Sequence, residues 1–142
     1  MTIGALLEER GGEVVAVEVG TPVRDAVARL ADRRIGAMPV LDGGQLVGIF
    51  SERDVIYGLR RDGAATLDWP VERVMTTPPV TVERSHGVLA ALGLITRRRI
   101  RHLPVVEDGR LVGFVSIGDL VKRRIDGIER EAMALREYIT RG

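Results

Sequence analysis

The sequence predicts an α/β fold of the α+β kind. It consists of two pseudo-symmetric β-α-β-β-α repeats packed through their sheets, followed by a long C-terminal helix. Three observations predict it. Shifting the chain by 65 positions lays its two halves on each other without a gap. Each half carries a run of helical periodicity followed by a hairpin pattern. Each half also closes its hairpin with Gly-x-x-Ser-x-x-Asp, "GIFSERD" at 48–54 and "GFVSIGD" at 113–119.

The elements follow in order. Residues 1–62 form the first repeat with an N-terminal helix, 63–79 a linker, 80–125 the second repeat, and 126–142 a C-terminal helical extension. The first element of each repeat is a Val-rich strand, "EVVAVEV" or "PPVTVER". Val15, Val17 and Glu18 fall on Val80, Val82 and Glu83 under the shift. A helix comes next. "TPVRDAVARLADRRI" opens with Thr21 as N-cap and Pro22 at the first helical position, and Val23, Ala26, Val27 and Leu30 recur at helical spacing. "SHGVLAALGLITRRRI" is its counterpart, with His86 at the helix start. The hairpins are "AMPVLDGGQLVGIF" and "HLPVVEDGRLVGFV", with Asp42-Gly43 and Asp108-Gly109 as turns. A second helix starts at Ser51 or Ser116.

A repeat of about 50 residues is too small for much of a core, so the two copies must pack together. In the linker, "RDGAATLDWPVERVMTTPP" holds a turn-rich piece, a short helical turn and Trp69, which reads as a packing anchor. After the second repeat the helix runs on through "DLVKRRIDGIEREAMALREYITRG". Leu120, Ile125, Ile128, Met133, Leu135 and Ile139 make one broad apolar stripe, and Gly127 weakens its middle by about 1 kcal/mol relative to Ala. Two uses fit so long a helix: packing along "IGALLEER" at the N-terminus, or pairing with a second subunit.

Composition narrows the function. Hydrophobic residues make up 45% and aromatics only 4%, so the core is built of Val, Leu, Ile and Ala. There is no cysteine, which excludes disulfides and thiolate metal sites. Two histidines make a poor zinc set, and no metal site is expected. No apolar run approaches the roughly 20 residues of a membrane-spanning helix, and the N-terminus is too acidic for a secretory signal. A cytoplasmic protein is expected. The formal charge of +1 argues against a general nucleic-acid binder, although "RRRIRH" at 97–102 is locally dense in arginine. Basic residues favour helix C-termini; arginine also offers a planar fork for phosphate. No Gly-x-Ser-x-Gly or P-loop pattern occurs, and no histidine accompanies the duplicated serine. No catalytic residue is assigned and no enzyme is expected.

The doubled strand–helix–hairpin, the "I-x-x-[ML]-P-V" strand and the "G-[IF]-[FV]-S-x-x-D-[VL]" helix start resemble a tandem pair of CBS domains, also called a Bateman module. The resemblance covers about residues 8–125, and with no other domain left over the chain resembles the stand-alone bacterial CBS-pair proteins. It implies two clefts between the repeats, related by a pseudo-twofold axis. It implies a regulatory module without a reaction of its own, assembled as a homodimer and acting on a regulated protein that remains unidentified. The implied ligand is an adenine-containing small molecule: AMP, ADP, ATP, S-adenosylmethionine or NAD(H). No cofactor is required.

Ser116 and Asp119 have two readings. Ser-x-x-Asp at a helix start resembles a capping box. A carboxylate in a first helical turn also accepts hydrogen bonds from two adjacent ribose hydroxyls, and the family's aspartate at this position has that task. The resemblance places Thr21, Pro22, Ala26, Ile35, Gly36 and Ala37 at the adenine end of the Asp119 cleft. Thr21 alternatively caps its helix, and Ile35 alternatively packs in the core. A second, weaker cleft combines Ser51 and Asp54 with His86, Ala91, Ile100, Arg101 and His102. There Arg101 stands in the place of Gly36 and His86 in that of Thr21. Arg101 and His102 are the phosphate candidates for either cleft, and His102 would add pH sensitivity near neutrality. The alternative function is a ligand-free interaction and dimerisation module, in which these serines and aspartates only cap helices.

Overall fold

A computed structural model describes residues 1–141. Gly142, the last residue of the expected extension, lies outside the described residues. The fold is mixed α/β, with five helices, two small sheets and a long C-terminal helix. In chain order the elements are α1 (Ile3–Arg10), β1 (Val17–Glu18), α2 (Val23–Arg33), β2 (Ala37–Asp42), β3 (Gln45–Ser51), α3 (Glu52–Asp62), α4 (Val88–Arg98), β4 (His102–Glu107), β5 (Arg110–Ser116) and α5 (Ile117–Arg141). The chain divides into two compact units. The first-repeat unit is Gly12–Thr81 with Pro104–Phe114. The second-repeat unit joins Met1–Gly11 and Val82–Leu103 to the chain from Val115 onward.

In the first-repeat unit, β1, β2 and β3 lie side by side in that order. β1 pairs parallel with β2 (Val17 with Val40), and β2 pairs antiparallel with β3 from Ala37–Ser51 to Val40–Gly48. Residues 37–40 are buried without a break, as a strand covered on both faces requires. Val17, Val23, Ala26, Leu30, Met38, Val40, Phe50 and Val71 form the core. Val23, Ala26 and Leu30 are the apolar stripe read from the sequence for α2.

Pro39 sits in the central strand opposite Ile49 and has no N–H to give. The Ile49 N–H and carbonyl turn to the other side, where they bond the carbonyl and N–H of Thr76 at 3.0 and 2.8 Å. The linker is thereby laid along the free edge of β3. Gly48 permits the approach: a Cβ there would stand 2.9 Å from the Thr76 carbonyl oxygen and 2.5 Å from Met75 Sδ. The linker itself is two 3₁₀ segments, Gly63–Asp68 and Val71–Arg73. Trp69 is half-buried beneath the Arg73 guanidinium, 3.6 Å from its ring centre, which agrees with a packing anchor.

Three local expectations are corrected. Thr21 does not cap α2. Pro22 holds the N-cap position in extended backbone (φ −60°, ψ 142°), and the helix begins at Val23. The Val23 N–H donates to the Trp69 carbonyl at 2.8 Å, so the linker does what a capping side chain would do. The first hairpin turns at Gly43-Gly44 rather than Asp42-Gly43, since Asp42 still pairs with Gln45. A tight turn of this hand needs positive φ at both central residues, which Gly43 and Gly44 supply in the first repeat and Asp108 and Gly109 in the second. The third correction is in "PPVTVER", where no strand of two or more residues forms: Val82 makes a single bridge and is buried.

In the second-repeat unit α4 packs on α5. Val88, Ala91 and Ile95 are its buried stripe, the counterparts of Val23, Ala26 and Leu30. Both α2 and α4 end on a left-handed arginine, Arg34 and Arg99, each at φ 53°. α1 buries Ile3 and Leu6. The Ile3 and Gly4 N–H groups donate to the carbonyls of His86 and Arg84, and Val88 N–H donates to the Met1 carbonyl. α5 runs unbroken through Gly127. Of the apolar stripe, Leu120 is buried, while Ile125, Ile128, Met133, Leu135 and Ile139 are exposed in the single chain. No described helix is long and apolar enough to cross a membrane.

Candidate functional site

Both Ser-x-x-Asp motifs form capping boxes. At α3, Asp54 N–H donates to Ser51 Oγ at 3.3 Å, and Ser51 N–H donates to Asp54 Oδ2 at 2.9 Å. At α5, Asp119 N–H donates to Ser116 Oγ at 3.1 Å, and Ser116 N–H donates to Asp119 Oδ2 at 2.9 Å. The cap is therefore real, and it locks each carboxylate at the first turn of its helix.

The residue two positions before each buried Met/Leu-Pro-Val run closes the same frame. Glu52 N–H donates to the Gly36 carbonyl at 3.0 Å, and Ile117 N–H donates to the Arg101 carbonyl at 2.8 Å. Gly36 thus stands beside the α3 start, with the Glu52 carboxylate 3.4 Å from where its Cβ would be. Arg101, exposed, stands beside the α5 start.

The other candidates fall as follows. In the first-repeat unit, Thr21 is half-buried and Pro22 exposed. Both are tied to the linker, through Val71 N–H to the Thr21 carbonyl at 2.8 Å and a bridge between Pro22 and Pro70. Ala26 and Ala37 are core residues, and Ile35 packs partly buried against that core. In the second-repeat unit, Ala91 is buried, while Ile100 and His102 are half-buried. His86 is exposed in the turn before α4, where its Nδ1 accepts from Glu83 N–H at 3.0 Å. Among the described residues no cluster of three or more His, Asp or Glu could hold a metal ion.

The two carboxylates differ in their remaining partners. Asp54 Oδ2 also accepts from Ser51 Oγ at 3.1 Å, and its Oδ1 accepts from Thr76 Oγ1 at 3.0 Å. The linker docked on β3 has delivered that hydroxyl. Burial raises the Asp54 pKa above the ordinary aspartate range, and the hydrogen bonds from Ser51 and Thr76 offset only part of the rise. Asp119 Oδ2 accepts from Arg10 Nη1 at 2.7 Å, with 29% of the side chain exposed. Its Oδ1 has no protein donor among the described residues. Neither Thr76 nor Arg10 was a candidate in the sequence. The 65-residue shift, extended to the segments before each repeat, lays Arg10 on Met75 and Gly11 on Thr76, and that was the available signal.

The raised pKa of Asp54 has a consequence for stability. Between its unfolded pKa of about 4 and the higher folded value, the native state binds more protons than the unfolded chain. Stability therefore falls as pH rises through that window. Asp54→Asn carries no charge and should gain on the wild type in urea unfolding as pH rises from about 4. A stability difference that does not change with pH would contradict this.

The CBS-domain family model matches residues 11–61 and 71–126. The CBS domain-containing protein CBSX3, mitochondrial, of Arabidopsis thaliana is 35% identical over 125 residues, 84% of this chain and 61% of that relative's own length. The chain spans only 23% of a second Arabidopsis relative, CBSCBSPB2, at 30% identity over 87% of this chain. Among solved structures, the CBS-domain containing protein ATU1752 from Agrobacterium tumefaciens is 37% identical with a TM-score of 0.83, covering 87% of this chain and 99% of that one. The CBS domain protein PAE2072 from Pyrobaculum aerophilum, solved in complex with AMP, is 28% identical with a TM-score of 0.75, covering 84% of this chain and 89% of that one. With two family matches on the two sequence repeats, and a Ser-x-x-Asp box built into each, the chain belongs to the CBS-domain family and carries two CBS domains in tandem.

Proposed function

We propose that the chain is a regulatory module, not an enzyme, that binds an adenine nucleotide or related adenosyl compound through Asp119. The observation that carries this reading is the state of that carboxylate. It is held in place by the Ser116 N–H and partly exposed, with Oδ1 open to a donor. A ribose presents two adjacent hydroxyl donors, and a fixed carboxylate receives them without reorganising. Asp54 has every oxygen engaged and is the weaker copy. The AMP complex of the Pyrobaculum aerophilum protein supports the ligand class. In this reading Arg101, whose carbonyl takes the Ile117 N–H at the same helix start, serves the phosphate together with His102. Ser51 and Asp54 form the weaker second site.

Binding acts on a partner only through differential affinity for two states. Each unit exposes apolar side chains to such a partner: Ile56 and Tyr57 on α3 in one, and Val121, Ile125 and Ile128 on α5 in the other, in the single chain. A cytoplasmic homodimer that buries them belongs to the same proposal. Isothermal titration calorimetry with AMP, ADP, ATP, S-adenosylmethionine and NADH tests the ligand, and sedimentation of the same sample tests the dimer. Binding of at least one compound to a dimer is expected. A dimer that binds none of them up to millimolar concentration would favour the ligand-free interaction module instead.

A further inference from the structure

The two motif carboxylates are met by groups of different charge. Asp54 receives a neutral hydroxyl from Thr76, and Asp119 receives the guanidinium of Arg10. These partners come from near-equivalent places, since the repeat shift lays Gly11 on Thr76. One copy of the box is thus closed by a neutral group and the other by a cation.

The cation stands at the junction of a helix and a glycine pair. Arg10 is the last residue of α1. The far end of that helix is anchored by buried Ile3 and Leu6 and by backbone bonds to residues 84–88. Its near end is held on α5 by two ion pairs, Arg10 with Asp119 and Glu9 with Arg123. Gly11 and Gly12 follow at φ 63° and 85°, conformations that glycine adopts without strain. The Arg10–Asp119 pair is about a third exposed, and ion pairs of that kind contribute little to stability. Exchanging it costs little.

Ribose hydroxyls and the Arg10 guanidinium donate to the same carboxylate. A guanidinium in contact with Asp119 lies one sugar ring from any phosphate borne by a ribose seated there. Building on the reading of Asp119 as the ribose ligand, we infer that Arg10 selects the ligand by charge. It neutralises Asp119 when no ribose does, and it turns to the phosphate when the hydroxyls take the carboxylate. Arg101, beside the same helix start, adds a second cation. The ligand class is therefore adenosine compounds that carry phosphate, over neutral nucleosides and over the cationic sulfonium of S-adenosylmethionine.

Calorimetry with AMP, adenosine and S-adenosylmethionine on the wild type, Arg10→Gln and Arg10→Lys tests this, with thermal melting to confirm that each variant folds. The wild type should prefer AMP. Arg10→Gln should lower the AMP-to-adenosine affinity ratio by roughly tenfold, the worth of one charge-assisted hydrogen bond, while adenosine binds equally well or better. Arg10→Lys should keep most of the ratio. An unchanged ratio in Arg10→Gln, with AMP still bound by the wild type, overturns the role of Arg10 alone. Failure of the wild type to bind any of the three probes overturns both this inference and the reading of Asp119.

Discussion

Asp119→Ala should weaken AMP binding by about 100-fold, and Asp54→Ala by less than about threefold. The first figure follows from two charge-assisted hydrogen bonds to ribose hydroxyls at roughly 1.5 kcal/mol each, since every 1.4 kcal/mol is tenfold in affinity. The second follows from geometry. Asp54 already accepts from Ser51 N–H, Ser51 Oγ and Thr76 Oγ1, and burial penalises its charge, so it has little left to offer a ligand. Each substitution also removes the acceptor of a capping box and should cost about 1 kcal/mol of stability. Titration well below the melting point separates that loss from the loss of affinity. Equal affinity losses in the two variants would show that the open Oδ1 of Asp119 does not decide where the ligand binds.

Phe50→Ala should cost about 3–5 kcal/mol, the largest effect expected of any single core change. Phe50 is 0% exposed and heads the fully buried side chains by volume. It lies opposite Met38 across the β2–β3 pair, in the cluster with Val17, Val23, Leu30 and Val71. Removing its ring opens a cavity where sheet, helix and linker all meet, and none of the three can close in without giving up its own contacts. A fall in melting temperature of roughly 10 °C or more is expected. Val115 occupies the matching place in the second repeat and is equally buried. Val115→Ala removes two methyl groups rather than a ring and should cost clearly less. Denaturant unfolding gives both values, and a loss below about 1.5 kcal/mol for Phe50→Ala would mean that the cluster can collapse around the gap.

Much of this fold was legible because its signals are local. Val23, Ala26 and Leu30 recur at helical spacing and are the buried face of α2. The serine and aspartate of each box are three residues apart, so their mutual bonds follow once a helix starts there. What was misread depended on residues distant in sequence. Thr21 had the chemistry of a cap, but the Trp69 carbonyl, brought in by the linker, took the Val23 N–H. Residues 13–19 had strand composition, yet β1 pairs with β2 only at Val17 and Glu18. Its counterpart "PPVTVER" forms no more than a single bridge. Strand composition expresses how well a residue suits a pleated surface, and the length of a strand depends on the partner it finds.

The sequence by itself determined the duplication, the order of helices and hairpins, the family and the two caps. It did so because periodicity, turn chemistry and i to i+3 bonding act over a few residues. Only the tertiary structure decided how the two copies differ. Thr76 reaches Asp54 because the Ile49 backbone groups, in a non-hydrogen-bonded pair with Pro39, point outward to the linker and Gly48 leaves it room. Arg10 reaches Asp119, 109 positions away, because α1 docks in the unit of α4 and α5. Two like boxes thus become one carboxylate closed by a neutral hydroxyl and one paired with a cation. That difference rests on long-range contacts, which no local pattern in the chain encodes.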